Sequence, residues 1–306
     1  MKRQRAYRYE LDPKNTTRSL LFKHAGAARF AYNWSLARRI ARFEANEGKE
    51  KFTNAVAEHK ALVKAKQTDF PWMYEVSKCA VHEPLRDLDQ AFKNFWARRK
   101  QGVGFPKFKK KFISKDSFRL YGSIITKGGH IQLPRLGTIR LKERPASFDG
   151  RIVSATVSRN ADRWYVSLLV ESEAEAPVVP VVGPVVGVDL GITIFATLSS
   201  GSEVIKTNGP KALAHELERL AILQRRHARK QKGSNNRRKS ARRLARLHAR
   251  VANVRRNHIH HFTTMLAKTK SVIVIEDLNV KGMSRNRRLA RSVMDQGWGE
   301  VRRQLE

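Results

Sequence analysis

An aspartate stands in the middle of an apolar strand pattern. The segment VVGVDLGITIFATL, Val185 to Leu198, reads as strand, turn and strand, and its composition marks it for a core. An ionised carboxylate is expensive to bury without a partner. Asp189 therefore needs a turn to cap or a metal ion to hold. A second segment, SVIVIEDL, is a continuous apolar run that ends in two acids, Glu276 and Asp277. Side chains alternate along a strand, so Val272, Val274 and Glu276 share a face and Asp277 points away.

The residues between these two segments constrain how they meet. Val185 to Leu190 and Thr193 to Leu198 read as strands, Ser199 to Gly201 as a hairpin turn, and Glu203 to Lys206 as a third strand. Lys211 to Lys232 and Arg237 to Lys270 are helical patterns broken by GSNN. Leu244, Leu247, Val251 and Val254 step by three and four, the seam of a helical hairpin. Strand, hairpin, strand, strand, helices, strand is the order of a ribonuclease-H-like α/β fold. In that fold an acid at the centre of the first strand meets one at the end of the fourth, which lies parallel beside it. Here these are Asp189 and Glu276. Two carboxylates brought together repel and raise each other's pKa. Mg²⁺ removes the conflict, because it takes carboxylate oxygens and retains waters. Two such ions about 4 Å apart activate a water and stabilise the leaving oxygen in phosphodiester cleavage. Taken singly, Asp189 also fits a turn cap, and IEDL a strand leaving for solvent. Together, in this order and beside a basic hairpin, they favour a metal site.

Upstream, RAYRYELDP (Arg5 to Pro13) alternates like a strand. Leu20 to Phe43, Ala55 to Lys66 and Ser77 to Arg99 are helical, with Leu20, Ala27, Phe30, Trp34 and Ile40 as core candidates in the first. Leu85, Leu88, Phe92, Phe95 and Trp96 mark one face of the third by their spacing. After the turn-rich GVGFPKFKKKF, short strands run from Phe118 to Val170. Ile152 to Ser158 and Trp164 to Val170 form a hairpin around Asn160 to Asp162. The expected organisation is α+β and multidomain. A β-barrel-like domain spans 1–19 and 101–176, with a helical domain inserted at 20–100. EAEAPVVPVVGP is a linker, and an α/β domain with a long basic helical hairpin covers 183–306.

Charge selects the partner. The 306 residues carry 62 Lys and Arg against 27 Asp and Glu, a formal +35, while 41% apolar residues suffice for packed cores. Such an imbalance self-repels unless a polyanion is present, and nucleic acid is the first candidate because neutralised phosphates release counterions. No apolar run approaches the roughly 20 residues of a spanning helix, and the N-terminus does not read as a signal peptide. The expectation is no membrane partner and a cytoplasmic, nucleoid-associated protein. Cys79 is the single cysteine, which leaves no internal disulfide and no Cys-rich zinc site within these residues.

From Arg219 to Ile275 there are 17 Lys or Arg and no acid. The densest part holds Arg225, Arg226, Arg229, Lys230, Arg237, Arg238, Arg242 and Arg243. Helices of one charge sign repel internally, which favours a nucleic-acid role over a solvated tip. Lys107, Lys109, Lys110 and Lys111 interleave with Phe105, Phe108 and Phe112. The lysines suit phosphates, and most of the rings are expected to pack inward, with base stacking as the alternative. His258 to His261, NHIHH, lacks nearby acids and suits RNA contacts or core packing better than a metal.

The segments GVDLGITIFATLSSG, VIVIEDLNVKGM, SRNRRLARSVMDQGWGEVRRQLE, RAYRYELDP, GAARFAYNWSLARRI and GFPKFKKKF resemble those of the TnpB family in order and along the whole chain. These are RNA-guided nucleases of IS200/IS605-type insertion elements, related to Cas12 effectors. The resemblance implies a wedge-type β-barrel, an inserted helical recognition domain and a RuvC nuclease domain in a prokaryotic-type host. It implies a guide RNA derived from the transposon end and a double-stranded DNA target with an adjacent motif. Asp189 and Glu276 become the first and second RuvC carboxylates, holding Mg²⁺. Lys78 and His82 match positions near where the family reads the target-adjacent motif, with His82 where a Gln is common; a surface role without base contact is the alternative.

The family continues with a CxxC…CxxC zinc element and a third RuvC aspartate. Here no Asp follows Asp295 and no Cys follows Cys79. The expectation is a chain shortened before those elements, with an incomplete RuvC domain, no zinc, impaired cleavage and an exposed Trp298. It would act as a monomer or weak dimer. A nuclease-dead RNA-guided repressor and a simple RNA-binding protein are the alternatives.

Overall fold

The computed structural model describes residues 2–45, 53–145, 150–173, 183–201 and 203–306. They divide into two compact units, Met1–Ala174 and Glu175–Glu306. The linker read at residues 173–184 lies almost wholly outside the described residues.

The first unit runs β1 (Lys2–Asp12), α1 (Asn15–Ala45), α2 (Ala55–Thr68), α3 (Lys78–Arg98), β2 (Ser117–Leu120), β3 (Ile125–Lys127), β4 (His130–Leu133), β5 (Gly137–Leu141), β6 (Arg151–Asn160) and β7 (Arg163–Glu173). Its strands form one antiparallel sheet in the order β2-β6-β7-β1-β5-β4-β3. The first strand in sequence thus lies inside the sheet, between β7 and β5, and the three helices are an excursion from it. Among the described residues no ladder joins β2 to β3.

Helix α1 is buried along two stripes. Leu21, Ala25 and Ala28 pack on the sheet core of Leu120, Ile131, Val157 and Trp164. Ala27 and Ala31 pack with Leu62 of α2 and Leu85 of α3. Small side chains let three elements approach one helix closely. On α3, Leu85, Leu88 and Phe92 are buried as their spacing predicts, but Trp96 at the end of that face is exposed. The face loses its cover before the helix ends.

The second unit runs β8 (Val186–Leu190), β9 (Ala196–Ser200), β10 (Glu203–Thr207), α4 (Ala212–Ala228), α5 (Asn235–Thr269), β11 (Ile273–Ile275), α6 (Val280–Met283), α7 (Ala290–Gln296) and α8 (Trp298–Leu305). Its sheet has the order β10-β9-β8-β11, with β11 parallel to β8 and the other pairs antiparallel. β9 begins at Ala196, three residues later than the pattern suggests. The Gly191 N–H bonds the Phe195 carbonyl at 3.2 Å and closes a wider loop. A side chain at 191 would lie 2.7 Å from the Ile194 carbonyl oxygen, so the loop needs glycine.

One face of this sheet is covered. Val186, Val188, Leu190 and Leu198 pack with Ile259, Phe262 and Leu266 of α5 and with Val293, Trp298 and Val301. The expected exposure of Trp298 is therefore corrected: it is 2% exposed. Gly297, at φ 74°, turns α7 directly into α8 and folds Trp298 back onto the core. The helical seam is also narrower than its spacing suggests. Leu247 and Val251 are buried, but Val254 is 42% exposed.

Candidate metal and nucleic-acid site

On β8, Val186, Val188 and Leu190 point into the core, and Asp189 points to the other, open face. The parallel register pairs Ile273 with Val186, Val274 with Gly187 and Ile275 with Val188. The next residue on each chain segment is Asp189 on one and Glu276 on the other. Neighbouring strands lie about 4.8 Å apart, so the two acids leave the sheet side by side. Both are exposed.

The other acids around them are engaged. Asp277 pairs with Arg302 of α8. Asp295 is buried, accepts from the N–H groups of Leu213 at 3.0 Å and Ala214 at 3.3 Å, and sits 3.7 Å from Arg255. Asp189 and Glu276 have no ion-pair partner among the described residues. Two adjacent carboxylates without an ion-pair partner among the described residues could hold a cation. The donor set fits Mg²⁺, which binds through one or two carboxylates and keeps several waters. Among the described residues no group of three or more His, Cys, Asp or Glu could hold a metal. His258 to His261 form no such group. His258 packs edge-on to Phe195, with centroids 4.7 Å apart, and its pKa is lowered by burial and by His261.

Helix α7 organises this unit in a way the sequence reading missed. Asp295 caps α4 from a distance, and Gln296 Nε2 donates to the Ile192 carbonyl at 2.8 Å, fixing the loop that follows Asp189. One signal was available. Helix α4 starts at Pro210-Lys211-Ala212, without a Ser, Thr, Asp or Asn to cap it, so its cap had to come from elsewhere.

The basic hairpin separates into two groups. Arg225, Arg226, Arg229, Arg238, Arg242 and Arg243 are exposed, whereas Lys230 and Arg237 are half-buried. Arg237 donates to the carbonyls of His227 at 3.2 Å and Lys230 at 2.7 Å, tying the start of α5 to the end of α4 and the turn after it. Ser234 caps α5, its Oγ accepting from the Arg237 N–H at 3.1 Å. Arg219, Arg243, Arg246 and Arg250 line a shallow groove along the two helices.

In the first unit, Lys107, Lys110 and Lys111 are exposed. Lys109 is not: its ammonium sits 3.9 Å over the Tyr32 ring, and burial lowers its pKa against an opposing pull from Asp87. Inward packing holds for Phe105, which meets Phe92 and Phe95 edge-on with centroids 5.4 and 5.5 Å apart, and is corrected for Phe108 and Phe112. Phe105, Phe108 and Phe112 are 39%, 49% and 77% exposed. Further along, the segment hangs from α1 by backbone bonds to the Asn33 side chain, at 2.8 and 2.9 Å. Lys78 and His82 lie one turn apart at the start of α3, with Lys78 exposed. The Nε2 atoms of His82 and His59 are 2.7 Å apart, a hydrogen bond in which one ring donates. Burial, with His59, Lys66, Lys78 and Arg86 nearby, lowers the His82 pKa to about 4.

The whole chain aligns at 36% identity with 77% of the length of the Escherichia coli (strain K12) protein named "Putative RNA-guided DNA endonuclease InsQ". The chain belongs to the TnpB family. A TnpB-family relative from Streptomyces pristinaespiralis, also named as an RNA-guided DNA endonuclease, is 35% identical over 99% of this chain and 74% of its own length. The family model described as "Probable transposase" matches residues 167–287, which hold both Asp189 and Glu276. A model described as "Helix-turn-helix domain" matches residues 1–49; in this TnpB-family chain that region is β1 followed by one unbroken helix over 15–45. A chain in a cryo-EM structure of the Cas12f1-sgRNA-target DNA complex shares the fold, with a TM-score of 0.51 at 14% identity over 94% of this chain and 70% of that one. No helix among the described residues is long and apolar enough to cross a membrane.

Proposed function

We propose that this TnpB-family chain is an RNA-guided DNA-binding protein with a RuvC-type centre at Asp189 and Glu276, and that these 306 residues cut DNA slowly. The observation that carries the reading is the pair of exposed, unpaired carboxylates one step beyond Val188 and Ile275 on parallel strands. Residues 183–306 form the RuvC-like domain, 1–19 with 101–176 the wedge-type barrel, and 20–100 the recognition domain. A Mg²⁺ ion at Asp189 and Glu276 would supply positive charge at a phosphodiester and acidify a water. Two carboxylates suffice to hold one ion, whereas the two-ion clamp on attacking and leaving oxygens needs more donors. Asp295 does not supply one, because it is buried and held by the N–H groups at the start of α4, and Asp277 is paired on the surface with Arg302.

The exposed Arg225, Arg226, Arg229, Arg238, Arg242 and Arg243 bind phosphates of a guide RNA derived from the transposon end. Lys107, Lys110 and Lys111 do the same in the first unit. Lys109 and Arg237 hold local structure instead. Lys78 presents an exposed ammonium to the double-stranded DNA target beside His82, where the adjacent motif is read. The protein acts in a bacterial cytoplasm, as a monomer or weak dimer.

The test is cleavage and binding by the purified chain with guide RNA, Mg²⁺ and a matched duplex. Guide-dependent DNA binding with slow cutting is expected. Asp189→Ala and Glu276→Ala should abolish the residual cutting and leave RNA binding intact. Failure to bind DNA with the guide, or cleavage surviving in Asp189→Ala, would overturn the reading. Rapid cleavage lost in Asp189→Ala would overturn the slow-cutting part of it.

A further inference from the structure

Residues Val103 to Lys115 contain five lysines and no acid. The loop is held firmly at its base. Asn33 clamps the Lys109 backbone on both sides, and the Lys109 side chain lies on Tyr32. Just beyond the loop, the buried Asp116 is paired with Arg29 at 2.9 Å and Arg159 at 3.0 Å. The apex is closed as well. The Ser114 N–H bonds the Lys110 carbonyl at 2.9 Å, and Ser114 Oγ accepts from the Lys110 N–H at 2.9 Å.

This fixed turn displays its two most apolar residues outward. Phe112 is 77% exposed and Ile113 80%. Phe112 also has φ 68°, a left-handed conformation that is strained for a bulky side chain. Glycine or asparagine would make the same turn at lower cost. Hydration of both apolar side chains is a second cost. Strain of this kind persists where surrounding structure imposes it, and it clusters at functional sites.

Resting on the reading of the neighbouring lysines as phosphate contacts, we propose that Phe112 and Ile113 form a wedge that inserts between two adjacent bases of a nucleic acid, with Lys107, Lys110 and Lys111 on the flanking phosphates. Apolar side chains of this size enter base steps in proteins that unstack nucleic acid, and an aromatic ring stacks on any base. The charge around the tip complements a polyanion. The Lys110–Ser114 bonds close the turn that carries the two side chains, which would lower the ordering cost of binding.

The experiment uses the full chain, the guide RNA and a guide-matched DNA duplex, with 2-aminopurine placed at successive positions in each nucleic acid in turn. The double variant Phe112→Ala/Ile113→Ser should bind the contacted nucleic acid about tenfold more weakly. Its salt slope should be unchanged, because no phosphate contact is lost. It should also abolish a 2-aminopurine fluorescence increase confined to one base step. The strand carrying that step shows whether RNA or DNA is the source. Phe112→Trp should restore binding and the signal. Lys110→Ala/Lys111→Ala should lower the slope by about two. Both wedge side chains are exposed, so the thermal midpoint of the double variant should match wild type. Wild-type affinity and fluorescence in the wedge variant, beside a weakened lysine variant, would overturn the wedge and leave the phosphate reading intact. Unchanged binding in both variants would overturn the two together. Loss of binding to anionic vesicles with no loss on nucleic acid would also overturn the wedge.

Discussion

The guanidinium of Arg237 donates to the Lys230 carbonyl at 2.7 Å across the turn between α4 and α5. This arginine is a staple in the midst of the cluster proposed to bind phosphates. Arg237→Ala should lower stability by about 1.5–3 kcal/mol, the range for charged hydrogen bonds, measured by thermal unfolding without RNA. Charge reversal of Arg225, Arg226, Arg229 and Arg238 should leave that midpoint in place. It should reduce the salt slope of RNA binding by roughly one per lost contact. A wild-type slope in the reversed variant would identify a solvated tip.

Asp295 should behave as a helix cap and not as a metal ligand. Its carboxylate takes the two N–H groups at the start of α4 and is flanked by Arg255. Asp295→Ala should cost about 1–2 kcal/mol, the upper range for a lost cap, in denaturant unfolding. Mg²⁺ affinity, measured by calorimetry, should not change. A weakened Mg²⁺ affinity at full stability would return Asp295 to the metal site.

Asp189 should show the opposite signature. Without divalent ions, Asp189→Asn relieves like-charge repulsion against Glu276 and should raise stability by about 0.2–1 kcal/mol. Millimolar Mg²⁺ should stabilise the wild-type chain through binding to the native state and have no effect on the variant. Equal stabilisation of both would place the ion elsewhere.

His82 makes the first unit acid-sensitive. Its folded pKa is about 4, below the ordinary 6.5. Between these values the unfolded chain binds the extra proton. Its contribution is therefore complete above about pH 6.5 and is lost as the pH falls toward 4. His82→Gln should flatten that limb of the unfolding midpoint. The same slope in the variant would assign the acid sensitivity to other groups.

Much of the architecture is legible because apolar periodicity states which residues share a face. The alternation of Val186, Val188 and Leu190 puts Asp189 on the opposite side of β8, and the long helices follow from three- and four-residue steps. What escapes such reading is non-local or geometric. Asp295 caps a helix 82 residues away, and no local pattern announces it. In FPKFKKKF the spacing of rings and lysines does not say that Phe105 and Lys109 turn in while Phe108 and Phe112 turn out; the Phe92 and Phe95 rings and two backbone bonds from Asn33 hold that arrangement. The exposure expected of Trp298 fails because glycine at a positive φ reverses the chain. The His59–His82 bond joins two helices whose individual patterns contain nothing unusual.

The parallel pairing of β8 with β11 separates Asp189 from Glu276 by 87 residues of sequence. A ribosome-bound chain that stops short of Ile275 therefore has a lone carboxylate and no place for the ion. All the strands and lysines of the first unit are already synthesised by then, as is the basic hairpin. On the proposed reading, the order of translation would complete the RNA-binding surfaces before the metal site, so any cutting competence would arrive in a chain that has already had its opportunity to acquire a guide.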